Sequence, residues 1–243
     1  FSDLWKRRLC RCDQLNASGL GPGLKTLRGL LSRPLEAVLF DFDGTLVDSV
    51  PDLAVSVDAT LARFGAQPVG EAQVRDWVGR GAWQLIRQAC DGVITDPDVV
   101  EQAYAHFLQH YAEQCAHNPC LYPGVAEGLV EIQSQVPTAL VTNKPMSFTQ
   151  TMLDALRLKF SVVLGGDSVA VKKPDPSMLL AACATMQVDP AGCVMIGDSS
   201  NDSEAARAAG MPVVLFSGGY NHGNAVELAA PDLIYHQFNE LLQ

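Results

Sequence analysis

Asp41 and Asp43 stand two residues apart, directly after the apolar run Ala37-Val38-Leu39-Phe40. A run of this kind reads as a buried strand of a parallel sheet. Open α/β sheets bind ligands just beyond the carboxyl ends of their strands, so the sequence sets two acids where a site belongs. Gly44 lets the backbone turn away there, and Thr45 adds a hydroxyl beside the acids. A lone Asp-x-Asp is accounted for by a strand followed by an acidic turn. Neither turn chemistry nor core packing calls for the whole run from Asp41 through Gly44 and Thr45 to Asp48 and Ser49.

Two more strand ends and one loop carry groups suited to a phosphate ester. Val136–Thr142 is an apolar strand that ends in Thr142-Asn143-Lys144-Pro145, and a hydroxyl and an amide at a strand end before a helix make a phosphate cradle. Lys173 stands in Lys172-Lys173-Pro174-Asp175-Pro176, where stiff flanking residues can hold a point charge on a phosphate. The strand Cys193–Ile196 ends in Gly197-Asp198, with Asp202 four residues further on. Asp198 and Asp202, in a chain already holding Asp41 and Asp43, point to a divalent cation. Oxygen-only ligands suit Mg²⁺.

The elements that must position these groups alternate in type. Phe160–Leu164, Pro212–Phe216 and a short Leu233–Tyr235 complete the apolar strands, and Asp175 is placed to cap a helix that Pro176 opens. An Ala-rich helix after Asn201 is ended by Gly210. Between Val50 and Asn118 the pattern is helical. Ser49 with Asp52 and Pro51 signals a helix start, and Leu53, Val57, Leu61 and Phe64 give it one apolar face that Gly65 ends. Further helices are predicted over 71–78, 82–90 and 98–116. A βα connection normally takes about 2–6 residues, so this stretch reads as an inserted second domain. The domain reading is therefore a basic extension over 1–35, a core of 36–49 with 119–243, and a helical cap over 50–118. The fold class is α/β: a Rossmann-like parallel sheet core with helices on both faces and an inserted helical cap.

The four groups, in this order and each beside a strand end, resemble the four motifs of the haloacid dehalogenase superfamily, whose members are mostly phosphatases. The resemblance covers residues 36–243. It implies that Asp41 attacks phosphorus to form an aspartyl-phosphate, that Asp43 handles the proton, and that Thr142, Asn143 and Lys173 bind phosphate. It further implies that Mg²⁺ is held by Asp41, Asp198 and the backbone carbonyl of Asp43, with Asp202 on a metal-bound water. Val78-Gly79-Arg80-Gly81, Gly165-Gly166-Asp167-Ser168 and Gly219-Tyr220-Asn221-His222-Gly223 add a likeness to the bacterial phosphoglycolate phosphatases within that family. The implied substrate is then 2-phosphoglycolate. Sugar-phosphate phosphatases, pyrophosphatases and phosphomutases share the same core. A phospho-accepting receiver domain is the non-enzyme alternative, against which the helical insert and the Asp41/Asp43 pair tell. Arg80, between two glycines in the insert, is a candidate to pair with an anionic substrate; a plain interhelical loop with a solvated Arg fits the same residues.

Composition sets the outer bounds. The net charge of −10 argues against nucleic acid as a general partner; the partner that the resemblance implies is a small phosphorylated metabolite. Residues 1–35 carry seven basic residues against Asp3 and Asp13, a net of +5, so the remainder carries −15. Leu24, Leu27, Leu30 and Leu31 fall at helical spacing in that arm, as in a basic amphipathic helix, a targeting segment or a plain extension before the domain. The chain opens on Phe1, as a fragment or processed form would. Seven irregularly spaced cysteines suit a reducing cytoplasm. Cys10-Arg11-Cys12 is too short a pair for a metal site, and His110, Cys115, His117 and Cys120 match no familiar zinc spacing. No apolar run approaches the roughly 18 residues of a membrane span.

Overall fold

The structure is a computed structural model, and it describes residues 24–117 and 119–243. The expectations placed on residues 1–23, Cys10 and Cys12 among them, lie outside the described residues. In chain order come α1 (Lys25–Gly29), β1 (Ala37–Phe40) and β2 (Val47–Asp48), and then four successive helices. These are α2 (Val50–Arg63), α3 (Gly70–Trp77), α4 (Ala82–Cys90) and α5 (Pro97–Gln114). β3 (Cys120–Leu121), α6 (Val125–Gln133), β4 (Thr138–Val141), α7 (Met146–Leu156), β5 (Val162–Leu164) and α8 (Ser177–Met186) follow. β6 (Cys193–Gly197), α9 (Ser200–Ala209), β7 (Val213–Phe216) and β8 (Leu233–Tyr235) complete the described chain.

The strands of the main sheet are parallel and lie in the order β5-β4-β1-β6-β7-β8. β1, β4 and β6 are buried along their whole length, which is why each reads as an unbroken apolar run. Successive side chains point to opposite faces, and the core divides accordingly. Val38, Phe40, Leu140 and Ile196 belong to the cluster that also holds α6 and α7 through Leu129, Ile132, Phe148 and Met152. Leu39, Ala139, Val141 and Met195 pack on α8 and α9 through Met178, Leu179, Ala205 and Ala206. Each such Leu or Phe contributes about 1.5–3 kcal/mol by leaving water.

Strand register does the positioning. Phe40 lies beside Leu140 of β4 and Ile196 of β6, and Asp41 N donates to Ile196 O at 2.9 Å. The residues after these three strands therefore emerge level with one another: Asp41 and Asp43 from β1, Thr142 from β4, Asp198 from β6.

Two features differ from the sequence expectation. Residues 24–35 do not stand apart from the core: Leu24 and Leu27 are fully buried in it, and Thr26 N donates to Gln243 O at 2.7 Å. The amphipathic spacing is real, but its apolar side is covered by this chain's own C-terminal turn, Phe238–Leu242. The second feature is the antiparallel ribbon of β2 and β3, which pairs Val47 with Leu121 and Asp48 with Cys120. Strands of two residues are too short to show any period. The ribbon joins the two crossings between the core and the helices α2–α5. The start of α2 also differs in detail, since Ser49 makes no side-chain cap.

Candidate active site

Asp41, Asp198 and Asp202 converge beyond β1 and β6, with ligand oxygens within 4.8 Å of one another. Among the described residues this is the one group of three or more acid, His or Cys side chains so arranged. His110, Cys115, His117 and Cys120 do not form another; His110 Nδ1 is instead 3.1 Å from Ser56 Oγ. Lys173 Nζ lies 2.9 Å from Asp41 Oδ1 and 2.6 Å from Asp202 Oδ1. All four side chains are buried.

Each member of the cluster is held differently. Asp202 is the N3 residue of a capping box at the start of α9. Its Oδ2 accepts from Asp198 N, Ser199 N and Ser199 Oγ at 3.2, 3.1 and 2.9 Å. Both Asp202 oxygens therefore have protein partners. Asp198 accepts from Thr45 Oγ1 at 3.0 Å and from Tyr220 N at 2.6 Å. Asp41 Oδ1 is buried and takes no well-directed hydrogen bond, although the Lys173 ammonium is close by. Gly44 permits this crowding: it sits at φ +86°, and a Cβ there would run into Asp198 Oδ2 and the Tyr220 ring.

Three carboxylates against one ammonium leave two negative charges buried together. The electrostatic consequence is large. Burial, reinforced by Asp202 and only partly opposed by Lys173, pushes the Asp41 carboxyl up to about 7. Burial and the neighbouring Asp202 and Asp41 charges push Asp198 well up too. For Lys173, burial disfavours the charged form, but Asp202 and Asp41 outweigh it and its pKa is raised. Buried uncompensated charge of one sign, an all-oxygen donor set and an Asp41 oxygen lacking a directed partner fit a hard divalent cation.

Asp43 stands apart from that cluster, on the side facing α2–α5. Its two carboxylate oxygens lie 3.1 and 3.3 Å from Lys144 Nζ, and Lys144 also donates to Tyr111 Oη of α5 at 2.6 Å. A cavity opens here between the sheet ends and the helices, with Asp41, Asp43, Thr142, Asn143, Lys144 and Tyr111 on its polar side. Leu53, Val78, Leu85, Phe107 and Phe148 supply apolar wall.

Thr142 is buried at the end of β4, facing this cavity. The amide of Asn143 donates to Gly79 O at 3.0 Å and to Lys173 O at 2.9 Å. Asn143 thus ties the α3–α4 loop to the core and fixes the Lys173 backbone. Asn201 Nδ2 donates to the same Gly79 carbonyl at 3.1 Å.

Arg80 does not reach the cavity. Its side chain is exposed and is not among the groups that line it. Gly79 and Gly81, at φ +114° and +90°, turn the loop so that a backbone carbonyl, not the guanidinium, meets the core.

Sequence reasoning assigned no role to Lys144, Tyr111, Asn201 or Tyr220. Lys144 carried a signal, being next to Thr142-Asn143. Tyr111 carried none, since an aromatic at helical spacing reads as core. Tyr220 connects two regions: its N–H holds Asp198, while its hydroxyl donates to Asp48 Oδ1 of the ribbon at 2.5 Å. Arg75 of α3 lies 3.4 Å from the same Asp48 oxygen and 5.1 Å from the Tyr220 ring centroid.

The sequence matches the haloacid dehalogenase-like hydrolase family over residues 38–216. The phosphoglycolate phosphatase of Pseudomonas putida is 43% identical over 213 residues, covering 84% of this chain and 78% of that protein. That of Escherichia coli K12 is 38% identical over 230 residues, covering 86% and 91%. The crystal structure of a predicted phosphoglycolate phosphatase from Haemophilus somnus superposes with a TM-score of 0.80 at 32% identity, covering 86% of this chain and 97% of that one. The chain belongs to the haloacid dehalogenase-like hydrolase family, and its α/β core with a level row of acids at the strand ends is the architecture that this membership entails.

Proposed function

We propose that this chain is a Mg²⁺-dependent phosphatase that hydrolyses 2-phosphoglycolate to glycolate and phosphate through a phosphorylated Asp41. The observation that carries the reading is the pairing of one acid inside a cation-suited cluster, Asp41, with a second acid facing the cavity, Asp43. The names of its relatives supply the substrate. Asp41 attacks phosphorus in line while Thr142 and Lys173 hold phosphoryl oxygens. Asp43 gives a proton to the leaving oxygen and then takes one from the water that cleaves the aspartyl-phosphate. Asp41, Asp198 and the backbone carbonyl of Asp43 would hold the Mg²⁺ that phosphatases of this family generally use, with Asp202 on a metal-bound water. When bound, the ion supplies the positive charge that keeps Asp41 ionised and lets a phosphate dianion approach.

Residues 50–118 serve as the cap over a core built from 36–49 and 119–243. The cap excludes water from the cavity and is held down through Gly79 by Asn143 and Asn201. Cys90, Cys115, Cys183 and Cys193 are free thiols, which suits a reducing cytoplasm, and no described helix is long and apolar enough to cross a membrane. The test is release of inorganic phosphate from 2-phosphoglycolate, a sugar phosphate and pyrophosphate, by metal-stripped protein and after Mg²⁺ is returned. Release that needs Mg²⁺ and favours 2-phosphoglycolate is the expected result. Full activity in the stripped protein, or preference for either other substrate, contradicts the proposal.

A further inference from the structure

Lys144 is a buried cation without a place in the phosphoryl chemistry just described. It follows Thr142-Asn143 at the end of β4, and its backbone is anchored by Gly166 N donating to Lys144 O at 2.7 Å. Its side chain reaches past the strand ends to Asp43 and Tyr111 and lines the cavity. Burial disfavours the ammonium, but Asp43 and Tyr111 outweigh it and the pKa is raised, so the charge stays. Lys144 is the cavity's one lining cation among the described residues.

Tyr111 is the second half of the observation. Its hydroxyl oxygen accepts from Lys144, so its own proton is free to be donated elsewhere. The one acceptor within reach is Met152 Sδ at 3.9 Å, and a thioether is a weak acceptor. A phenol donor and an ammonium thus stand together in a buried site with no strong acceptor beyond Asp43. Burial, with Asp43 adding to it, keeps the phenol protonated. Phe107 stacks on the ring at 5.5 Å and Phe148 meets it edge-on at 5.0 Å, which fixes where the hydroxyl points.

We propose that Lys144 and Tyr111 form the subsite for a carboxylate on the leaving group, which makes the substrate class small phosphate monoesters of 2-hydroxy acids. The position in the site sets that class. Lys144 touches Asp43, which serves the leaving oxygen, so the cation lies next to the atom that departs. A carboxylate one carbon from that oxygen is the group placed to meet it. The facing residues Leu53, Val78, Leu85 and Phe107 are apolar and give sugar hydroxyls nothing to bond. Arg80, the other cationic candidate, lies outside the cavity.

This inference rests on the phosphatase reading above, and the experiment separates the two. kcat/KM is measured for wild type, Lys144→Gln and Tyr111→Phe on 2-phosphoglycolate and on ethyl phosphate, which has the same length but no carboxylate. Wild type is expected to prefer 2-phosphoglycolate. Lys144→Gln should lose about ten- to a hundredfold more on 2-phosphoglycolate than on ethyl phosphate, and Tyr111→Phe roughly three- to tenfold more. Equal proportional losses on the two substrates would overturn the subsite and leave Lys144 as a support for Asp43. Tyr111→Phe keeps the ring and its packing, so it decides the matter if Lys144→Gln does not fold; an unchanged substrate ratio in that variant also overturns the subsite. A wild type indifferent to the carboxylate would overturn the phosphoglycolate reading itself.

Discussion

The strand ends of the core and the helices above them reach the same cavity by different means. At the ends of β1, β4 and β6, backbone register puts Asp41, Thr142 and Asp198 level, and each residue type is the one the proposed chemistry uses. In α2–α5 the groups that meet the core at the cavity include a backbone carbonyl, Gly79 O, and a phenol, Tyr111. Neither is marked by residue type as functional. The core therefore encodes its chemistry in side chains at fixed offsets from apolar runs, whereas the helical segment encodes contact geometry in turns and packing. Under the proposed function the division of labour is reaction below, selection and closure above.

The largest expected effect breaks the lower half of this comparison. Asp41→Asn removes the nucleophile while keeping the shape, and phosphate release should fall by at least about a thousandfold. Circular dichroism should show an intact fold. Turnover near the wild-type rate would mean that the reacting group lies elsewhere.

Two glycines sharpen the comparison at the next level. Gly44 of the core and Gly65 at the end of α2 have similar backbones, φ +86° and +77°. A Cβ on Gly44 meets Asp198 and Tyr220, while a Cβ on Gly65 meets nothing within 4 Å. Gly65→Ala should cost only the left-handed strain, about 1 kcal/mol, and stay active. Gly44→Ala should cost more than about 3 kcal/mol or displace Asp198, and activity should be lost. Thermal unfolding alongside phosphate release checks both. Similar behaviour of the two variants would remove the claim that Asp198 is held by close approach of the Gly44 turn.

The smallest effect is on stability without metal. Asp41 ordinarily titrates near 3.8 and is held at about 7 by burial, so the folded state binds more protons than the unfolded one between those values. The stability associated with protonated Asp41 is fully present below pH 3.8 and is lost as pH rises through about 7. Asp198 is shifted the same way and adds to the loss. In chelator, the unfolding temperature of the wild type should fall across that window. Asp41→Asn should flatten the fall, and the variant should be the more stable protein above pH 7 in chelator. Among the described residues of the helical segment, Asp52 is the one acid that burial shifts upward. Parallel curves for the two proteins would show that the acid cluster is not strained by its own charge.

How much of this could be read from the chain depends on where each residue sits. The run Ala37–Phe40 announces a strand because both of its faces are buried, and Asp41 follows at a fixed offset. The same holds for Thr142 and Asp198. The helices α3, α4 and α5 were legible to within a residue or two, since their apolar faces repeat at helical spacing. The ribbon β2–β3 was not legible, because two residues carry no period. Arg80 drew attention because a charged residue between two glycines looks presented to a ligand, yet its side chain is exposed and outside the cavity lining. The positive φ of Gly79 and Gly81 turns the carbonyl inward instead, and residue identity does not reveal that. Tyr111 was hidden for the opposite reason. Its ring is ordinary core material, and only the three-dimensional approach of Lys144 across 33 positions of sequence makes its hydroxyl chemically notable. Leu24 and Leu27 had the right spacing, but spacing does not name the surface that covers them.

The most direct test of the account is to find the phosphoryl group on the protein. Enzyme mixed with 2-phosphoglycolate and Mg²⁺ is quenched in acid within one turnover, digested, and the peptide spanning Ala37–Asp48 is sequenced by mass spectrometry. The account predicts a single phosphoryl group on Asp41, absent from Asp41→Asn. Phosphate released at full rate with no modified peptide, or with the label on another side chain, would contradict it.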